Sequence, residues 1–339
     1  MPDLGPEEEQ AAIEVLRSGF LSEGPRVAEL EQTVARDLEQ NHGVATACGT
    51  AALALCLRAL GVEENSEVVI PSYACTSLLD AVKWAGCAPR VVDVAEKDLV
   101  MEVETVLEGI GPRTGAVVLV HNFGNPADLR GLTDVNAPVI EDLAQCIGGR
   151  RDGLRVGEVG DCSVLSFYAT KMLTTGYGGM LVSSEEKLIA RARDLREFDE
   201  REEYEPRFHV SLSDLNAAIG LAQWGKLPRF IEKRRQLARR YHEIAGKYAV
   251  DPQGEGVYFR YLIRAPQGAE DAISAFEERG VEAKRPIYRP IHCYLGLDPT
   301  DYPVAERAHR EIVSVPLYPA LSDEDVGVIL DAMEEVLKG

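Results

Sequence analysis

Short runs of β-branched and other apolar residues alternate with helical patterns along most of this chain, and this alternation limits its fold more than any other feature. Seven runs have the length and composition of buried strands, at residues 43–47, 67–70, 90–94, 116–121, 138–142, 163–167 and 180–183. Helical patterns, with apolar residues three and four positions apart, lie between them at residues 50–60, 74–85, 102–110 and 187–196. The alternation predicts an α/β fold in which helices cover both faces of a mainly parallel, seven-stranded sheet.

The pattern changes after about residue 212. Residues 213–225 and 228–248 have the periodicity of two long helices, and the rest of the chain mixes short strands, including 258–264, with helices at 271–279 and 323–337. We therefore expect a large domain over residues 1–212, which includes an N-terminal segment. Residues 213–339 are expected to form linking helices and a smaller C-terminal α/β domain.

The charge of the chain limits its partners. Its 339 residues include 36 Lys and Arg and 56 Asp and Glu, which gives a formal net charge of −20. Such a surface repels phosphate backbones and anionic lipid, so we expect small-molecule partners and neither nucleic acid nor a membrane. The seven cysteines, an odd number without a C-x-x-C pair, are expected to be reduced and buried, and the location to be cytoplasmic.

Two segments have the composition of ligand-binding sites at the ends of strands. In the first, Gly49 and Thr50 join a strand to a helix rich in alanine and leucine, so the helix start either binds an anion or is only capped by Thr50. In the second, a buried strand runs directly into Glu141 and Asp142. A carboxylate there can pair with a cationic ring nitrogen, hold a metal ion, or simply belong to a solvated acidic turn.

A third segment delivers a lysine to a glycine-rich loop. Ser166 and Phe167 end a strand, Lys171 follows, and Gly176, Gly178 and Gly179 come shortly after it. Lysine forms Schiff bases when its surroundings lower its pKa. Together, an anion site, an aspartate for a ring nitrogen and a Schiff-base lysine are the requirements of pyridoxal 5'-phosphate.

The order of the motifs identifies a family. The chain contains, in sequence, Cys48-Gly49-Thr50-Ala51-Ala52-Leu53, Ile70-Pro71-Ser72-Tyr73, Val120-His121-Asn122-Phe123-Gly124, Glu141-Asp142-Leu143-Ala144-Gln145, Ser166-Phe167 with Lys171, Tyr302-Pro303-Val304-Ala305-Glu306 and Ser314-Val315-Pro316-Leu317-Tyr318-Pro319. Over nearly its full length it resembles the DegT/DnrJ/StrS family, the sugar-nucleotide aminotransferases of the fold type I pyridoxal phosphate enzymes.

The resemblance implies a role for each matching residue. Lys171 would form the Schiff base, Asp142 would pair with the pyridine nitrogen, and Gln145 would lie beside the ring and its hydroxyl. The phosphate would be held by Gly49, Thr50, Ala51 and Ser166. Members of the family are homodimers with shared active sites that transfer an amino group, usually from L-glutamate, to a keto sugar linked to a nucleotide.

The chain departs from the family at two positions. Where relatives often carry a threonine and an aromatic residue that stacks on the cofactor ring, this chain has Ala74 and Cys75. Tyr73 or Phe123 would replace the aromatic residue, or the sulfur of Cys75 would lie against the ring. Where relatives have an asparagine that reaches the partner's phosphate, this chain offers Ser211 or His209.

Two other functions are compatible with the same motifs. Relatives that carry histidine in place of the lysine are dehydratases, and a silent relative would bind the cofactor for regulation only. Lys171 argues against the first. His121 is a candidate for the cofactor site and His292 for the sugar site, and a diphosphate would draw on some of Arg150, Arg151, Arg229, Arg234, Lys284, Arg285 and Arg289.

Overall fold

The computed structural model describes residues 2–132, 135–199 and 202–338. Within these residues the helices are α1 (Pro6–Ser18), α2 (Pro25–Asp37), α3 (Gly49–Ala59), α4 (Ser77–Trp84), α5 (Val103–Gly109), α6 (Glu186–Arg196), α7 (Asp214–Ala245), α8 (Ala269–Glu277), α9 (Ile291–Leu295), α10 (Pro303–Glu311) and α11 (Asp323–Lys338). The strands are β1 (His42–Thr46), β2 (Glu67–Pro71), β3 (Ala88–Val92), β4 (Thr114–Val120), β5 (Val139–Asp142), β6 (Arg150–Arg151), β7 (Leu154–Arg155), β8 (Cys162–Ser166), β9 (Gly179–Ser183), β10 (Tyr261–Arg264) and β11 (Ile312–Val315).

Seven of these strands form the main sheet, in the order β1-β9-β8-β5-β4-β2-β3. Strands β8, β5, β4, β2 and β3 run parallel to one another, and β9 lies antiparallel between β8 and β1. The predicted α/β fold with a mainly parallel, seven-stranded sheet is confirmed. Each strand of this sheet begins and ends within two residues of its predicted position.

Helix α3 packs against the main sheet and is largely buried. All of its residues from Ala51 to Leu57 are buried, because it packs between the sheet and helices α4 and α6. Alanine, cysteine and leucine, none of them branched at Cβ, suit such a helix, since they allow close packing at little cost in side-chain entropy. Its burial fixes the position of its first turn at the edge of the sheet.

The prediction of two helices over residues 213–225 and 228–248 is wrong. Residues 214–245 form one continuous helix of 32 residues, α7, which contains Pro228 in its interior. A proline there costs about 3 kcal/mol. The helix buries Trp224 and Leu227 before the proline and Phe230, Leu237 and Tyr241 from the proline onwards, and each such side chain contributes about 1.5–3 kcal/mol. Burial on both sides therefore outweighs the loss at Pro228.

The C-terminal part contains its own small sheet, in which β10 pairs antiparallel with β11. Helices α7, α8 and α11 supply the apolar side chains that pack against it. Helix α7 also packs against α1 and α2 through its first half, which ties the N-terminal helices to the rest of the chain. In the described part of the chain, no helix combines the length and the apolar character needed to span a bilayer.

Candidate active site

The carboxyl ends of three strands bring the sequence motifs to one edge of the main sheet. Strand β1 leads to Gly49 at the start of α3, β5 ends at Asp142, and β8 ends at Ser166, shortly before Lys171. Since these strands point in the same direction, the residues that follow their carboxyl ends meet there.

A cavity of about 510 Å³ opens at this edge. Six of the seven site residues predicted from the sequence line it, namely Gly49, Thr50, Asp142, Gln145, Ser166 and Lys171. The seventh, Ala51, is not part of the lining, because its side chain is buried within the packed face of α3. The volume lies within the range of about 300–1,000 Å³ that is typical of small-molecule sites.

The first turn of α3 presents backbone donors to this cavity. Within the described residues, the amides of Gly49 and Thr50 and the hydroxyl of Ser166 make no hydrogen bond, whereas the amide of Ala51 donates to Cys48 Sγ at 3.4 Å. The N-cap residue is therefore Cys48 and not Thr50. Free amides at the positive end of a helix attract negative charge, and we call Gly49, Thr50 and Ser166 the anion cup.

Close backbone packing explains the glycines around the anion cup. A Cβ atom on Gly49 would lie 2.8 Å from Cβ of Ser166, and one on Gly179 would lie 2.5 Å from the carbonyl of Cys48. Any larger residue would push the first turn of α3 away from β8 and β9. The two glycines thus keep the donor groups of the anion cup together.

Asp142 lies half-buried in the cavity wall. Its Oδ1 accepts a hydrogen bond from the Ala144 amide at 2.9 Å. Burial raises the pKa of this carboxyl, while the Ala144 amide and the charges of Lys171 and His121 act in the opposite direction. A cationic group placed against Asp142 would favour its ionised form, so the site is suited to a protonated ring nitrogen.

Lys171 lies in the same cavity, with Nζ 5.3 Å from the centroid of the Phe259 ring. Burial lowers the pKa of Lys171, although the charge of Asp142 acts to raise it. A lowered pKa increases the fraction of neutral amine, which is the nucleophilic and basic form. An amine of this kind is suited to covalent chemistry and to proton transfer.

Glu141, the neighbour of Asp142, points away from the cavity into a fully buried cluster. Its carboxylate accepts hydrogen bonds from the amides of Gly157 at 2.7 Å and Gly160 at 2.6 Å, and it pairs with His121 Nε2 at 2.8 Å. The other ring nitrogen of His121 accepts from the Ala127 amide. His121 is therefore part of the support behind β5 and does not line the cavity, contrary to one interpretation of the sequence.

We expect Glu141→Gln to lower the free energy of unfolding by about 3–5 kcal/mol at neutral pH, because it breaks a buried charged network. Burial acts to raise the pKa of Glu141, but the bonds from His121 and the backbone lower it overall. A carboxyl whose pKa is lower in the folded state than in the unfolded state stabilises the fold above about pH 4.3, which is its pKa in the unfolded state. This stabilisation is lost as the pH falls through the pKa of the folded state.

Urea unfolding of the wild type and Glu141→Gln, measured from about pH 7 to about pH 3, checks this expectation. The matched control is Glu158→Gln, since Glu158 is exposed and, among the described residues, its carboxylate accepts a hydrogen bond from the Arg155 amide alone. This control should change stability by less than about 0.5 kcal/mol. A difference between wild type and Glu141→Gln that stays constant over the whole pH range would contradict the role of the ionised carboxylate.

The aromatic residue that is missing from the sequence motif is not replaced by Tyr73. Tyr73 is fully buried behind the cavity, with its ring 5.8 Å from that of Phe123. Phe123 and Cys75 both line the cavity, and the Phe123 amide donates to Gln145 Oε1 at 2.9 Å. Phe123 has a φ of +59°, a left-handed conformation that is unusual for a bulky residue and frequent at functional sites. Cys75 and Phe123 are thus the available neighbours for a ring.

The cysteines are free thiols, as expected, but they are not all buried. Cys75 is exposed in the loop before α4, which begins at Ser77 and not at residue 74 as predicted. Cys48 and Cys293 are half-buried. Because the residues around Cys75 are mostly apolar, the sequence did not indicate that this loop lines the cavity.

His292 also lies outside the cavity. It is fully buried, with Nδ1 2.5 Å from Ser72 Oγ and Nε2 3.0 Å from Glu306 Oε1, and its ring stacks on Tyr302. These contacts join the end of β2 to α9 and α10. The sequence interpretation of His292 as a sugar-site residue is therefore not supported by its position.

The basic residues expected at a diphosphate site are mostly engaged elsewhere. Arg151 pairs with Asp98 at 3.0 Å, and Arg234 donates to three backbone carbonyls. Of the seven candidates, Arg289 lines the cavity in the described structure, while Lys284 and Arg234 line a neighbouring cavity of about 640 Å³.

Among the cavity residues that the sequence interpretation did not include are two that come just before β10. Phe259 and Arg260 line the cavity together with Lys171, and they precede β10, which begins at Tyr261. A signal was present in the sequence, since Arg260 interrupts the apolar run Val-Tyr-Phe-Arg-Tyr-Leu-Ile at residues 257–263. A charged residue inside an apolar strand often faces a ligand or a charged partner.

Comparison with known proteins gives the family of the chain. The sequence pattern that defines the DegT/DnrJ/EryC1/StrS aminotransferase family matches residues 2–334. The chain belongs to this family. It is accordingly a pyridoxal phosphate-dependent aminotransferase, and the resemblance inferred from the motifs is confirmed.

Relatives match the chain over nearly its whole length. The spore coat polysaccharide biosynthesis protein SpsC of Bacillus subtilis (strain 168) is 29% identical and aligns with 100% of this chain and 96% of its own length. GDP-perosamine synthase of Caulobacter vibrioides is 28% identical, over 99% of this chain and 97% of its own. The solved structure of the aminotransferase TlmJ from Streptoalloteichus hindustanus is 33% identical, with a TM-score of 0.90 over 99% of this chain and 97% of that one.

Proposed function

We propose that this aminotransferase moves an amino group from L-glutamate to a keto sugar carried on a nucleoside diphosphate. The observation that carries the proposal is the meeting of Lys171, Asp142 and the anion cup in one cavity. Each of these three features answers a different chemical need, namely covalent attachment, a partner for a ring nitrogen, and a phosphate site. The main support for the proposal is that these three features occur together in a chain that belongs to a family of aminotransferases.

The residues of the cavity suit pyridoxal phosphate. The free amides of Gly49 and Thr50 and the Ser166 hydroxyl are donors without a protein acceptor among the described residues, as a phosphate site requires. Lys171 would attach the cofactor as a Schiff base, and Gln145 would lie beside its ring. When bound, pyridoxal phosphate supplies an aldehyde that takes up and releases the amino group and a ring that withdraws electrons.

Lys171 and Asp142 have separate tasks in this proposal. The Lys171 amine, with its lowered pKa, would take up the proton released from the α-carbon of the donor, and the resulting ammonium would give that proton back before the transfer is complete. The Asp142 carboxylate would favour a protonated, cationic ring nitrogen. Cys75 and Phe123, which line the cavity, would lie beside the ring.

The identity of the acceptor is supported by the relatives. GDP-perosamine synthase is named for a sugar linked to a nucleotide, and SpsC for the biosynthesis of a polysaccharide. In this chain, Arg289 at the cavity provides a positive charge for a diphosphate. We place the activity in the formation of amino sugars for a polysaccharide or a related glycoside.

We further propose that two copies of the chain form the functional unit in the cytoplasm. Exposed aromatic side chains surround the cavity, with Tyr288 88%, Tyr177 64% and Tyr168 42% exposed, and a second copy would cover such a surface. The prediction that His209 or Ser211 reaches the partner's phosphate belongs to this proposal. Seven free thiols support a reducing compartment.

Incubation of the purified protein with pyridoxal phosphate, L-glutamate and a panel of nucleotide-linked keto sugars tests the function. We expect one acceptor to yield an amino sugar and an equal amount of 2-oxoglutarate, with no product when glutamate is omitted. A changed sugar without 2-oxoglutarate would indicate a dehydratase. Absence of 2-oxoglutarate with every acceptor would favour a silent cofactor-binding relative and would contradict the proposal.

A further inference from the structure

A histidine, a cysteine and a glutamate meet near the end of β2, and none of them lines the active-site cavity. His292 and Cys293 are adjacent in α9, and Glu306 lies in the first turn of α10. His292 Nε2 is 3.0 Å from Glu306 Oε1 and 3.4 Å from Cys293 Sγ, and this sulfur is 3.6 Å from the same carboxylate oxygen. In the described part of the chain, this is the one group of three histidine, cysteine or acidic side chains whose ligand atoms all lie within 4.8 Å of one another.

The triangle formed by these three atoms has the size that a tetrahedral zinc ion requires. Zinc lies about 2.0–2.1 Å from an imidazole nitrogen or a carboxylate oxygen and about 2.3 Å from a thiolate, so two ligand atoms at the tetrahedral angle are about 3.3–3.6 Å apart. The observed separations of 3.0, 3.4 and 3.6 Å depart from this range by no more than about 0.3 Å. An ion therefore fits among the three atoms after small shifts of the side chains.

The surroundings of His292 hold its ring in the orientation of a metal ligand. Nδ1 lies 2.5 Å from Ser72 Oγ, and the ring stacks on that of Tyr302 with 4.5 Å between the centroids. When Nδ1–H donates to the Ser72 hydroxyl, Nε2 carries the lone pair, and this nitrogen is the one that faces Cys293 and Glu306. Histidines that bind metals almost always have such a partner on the second ring nitrogen, because it fixes the tautomer and the ring orientation.

The other two side chains give an ion access from solvent. His292 is fully buried, whereas Cys293 is half-buried and the Glu306 side chain is 26% exposed. The second carboxylate oxygen of Glu306 accepts from the exposed Arg310 at 3.4 Å, which leaves Oε1 to face the histidine and the cysteine. The group thus provides three protein ligands, and a water molecule can supply the fourth from the exposed side.

The chemistry of the three donors selects the metal. Thiolate and imidazole ligands suit Zn²⁺, whereas Mg²⁺ and Ca²⁺ prefer sites made of oxygen ligands. The thiol binds as a thiolate and releases its proton to water. The charges of the thiolate and the carboxylate then balance the two positive charges of the ion.

We propose that His292, Cys293 and Glu306 bind one Zn²⁺ ion in a four-coordinate site, with water as the fourth ligand. The ion would join α9 to α10 beside the active site. Tyr294, the next residue of α9, lines the active-site cavity, and so does Arg289, which donates to the Cys293 carbonyl at 3.2 Å. The zinc ion would therefore stabilise this wall of the cavity, a task separate from the transfer of the amino group.

The affinity for Zn²⁺ tests the site, measured on the full-length protein with pyridoxal phosphate bound, by competition with a chelator of known affinity. We expect the wild type to bind one zinc ion per chain. Loss of an outer partner of a ligand costs about 10- to 100-fold in metal affinity, which is the loss expected for Ser72→Ala. Cys293→Ser and Glu306→Gln remove ligands themselves, so each should weaken binding by at least about 100-fold.

Two control variants remove the same groups elsewhere. Cys75→Ser removes an exposed thiol, and Glu311→Gln removes another carboxylate of α10, so both should keep the zinc affinity within about 3-fold of the wild type. Circular dichroism checks that each variant folds, and Glu306→Gln still tests the site if Cys293→Ser does not fold.

Cobalt(II), used in place of zinc, reports the coordination. We expect the intense visible bands of four-coordinate cobalt in the wild type and their loss in Cys293→Ser. The proposal is overturned if the wild type binds no zinc, if Cys293→Ser and Glu306→Gln bind it as tightly as the wild type, or if the cobalt bands are the weak ones of a six-coordinate ion. None of these results depends on the transfer of an amino group.

Discussion

Replacing Lys171 with alanine is expected to lower kcat for amino-group transfer by at least about 10³-fold, because in the proposed function this one side chain supplies both the covalent attachment and the proton transfer. Lys171 is the lysine that lines the cavity together with Asp142 and the anion cup in the described structure. Alanine leaves no amine that could take over either task. The loss should appear with every donor and acceptor, since it concerns the chemistry and not recognition.

Two measurements accompany this substitution. The wild type, freed of excess pyridoxal phosphate, should keep the absorbance band of the protein-linked cofactor, and Lys171→Ala should lack it. Lys187→Ala, which removes an exposed lysine from α6, should keep both the band and the rate. An identical protein-linked band in Lys171→Ala would contradict the assignment of this lysine.

Replacing Asp142 with asparagine has the second largest expected effect, a loss of about 10²- to 10⁴-fold in kcat. The amide has the shape of the carboxylate and keeps an oxygen for the Ala144 amide, so the fold and the cofactor should be retained. It has no charge to hold a proton on the ring nitrogen, and a neutral ring withdraws electrons poorly.

The matched control is Asp161→Asn. Asp161 likewise accepts a backbone bond, from the Val139 amide at 2.8 Å, but it lies at the opposite end of β5 from the cavity. Steady-state rates and bound pyridoxal phosphate should be measured for both variants. A near-normal rate in Asp142→Asn, or loss of the cofactor together with the rate, would contradict the role given to Asp142.

The main sheet was predictable because its strands are buried on both faces and so consist of short apolar runs. Lys171 and Asp142 were predictable for a related reason, since each interrupts or ends such a run at the carboxyl end of a strand. In both cases, the signal is local. It depends on residues that are adjacent in the chain.

Features that depend on distant partners could not be predicted in this way. The continuity of α7 through Pro228 is determined by what the helix packs against, and the Ser72–His292 contact joins positions far apart in the sequence. The same holds for Arg260, since only its surroundings show that it has no acidic partner among the described residues. A sequence pattern gives the type of each side chain, but it does not show whether a partner lies within hydrogen-bond or ion-pair distance.

The net charge of −20 also becomes clearer with the site in view. A long-range attraction for anions is not available to such a surface, although the proposed substrate and cofactor both carry phosphate. In the proposed function, hydrogen-bond donors within the cavity would attract these phosphates instead. The free amides of Gly49 and Thr50, the hydroxyl of Ser166 and the guanidinium of Arg260 are of this kind.

The most direct test of Lys171 as the attachment point is mass spectrometry of the wild-type protein after reduction with borohydride in the presence of pyridoxal phosphate. Reduction makes a Schiff base permanent, so a proteolytic digest reports which lysine was linked. We predict one cofactor adduct, on the peptide that contains Lys171, and its disappearance when an amino donor is added before reduction. An adduct on another lysine, or none on Lys171 in protein that retains the cofactor, would contradict it.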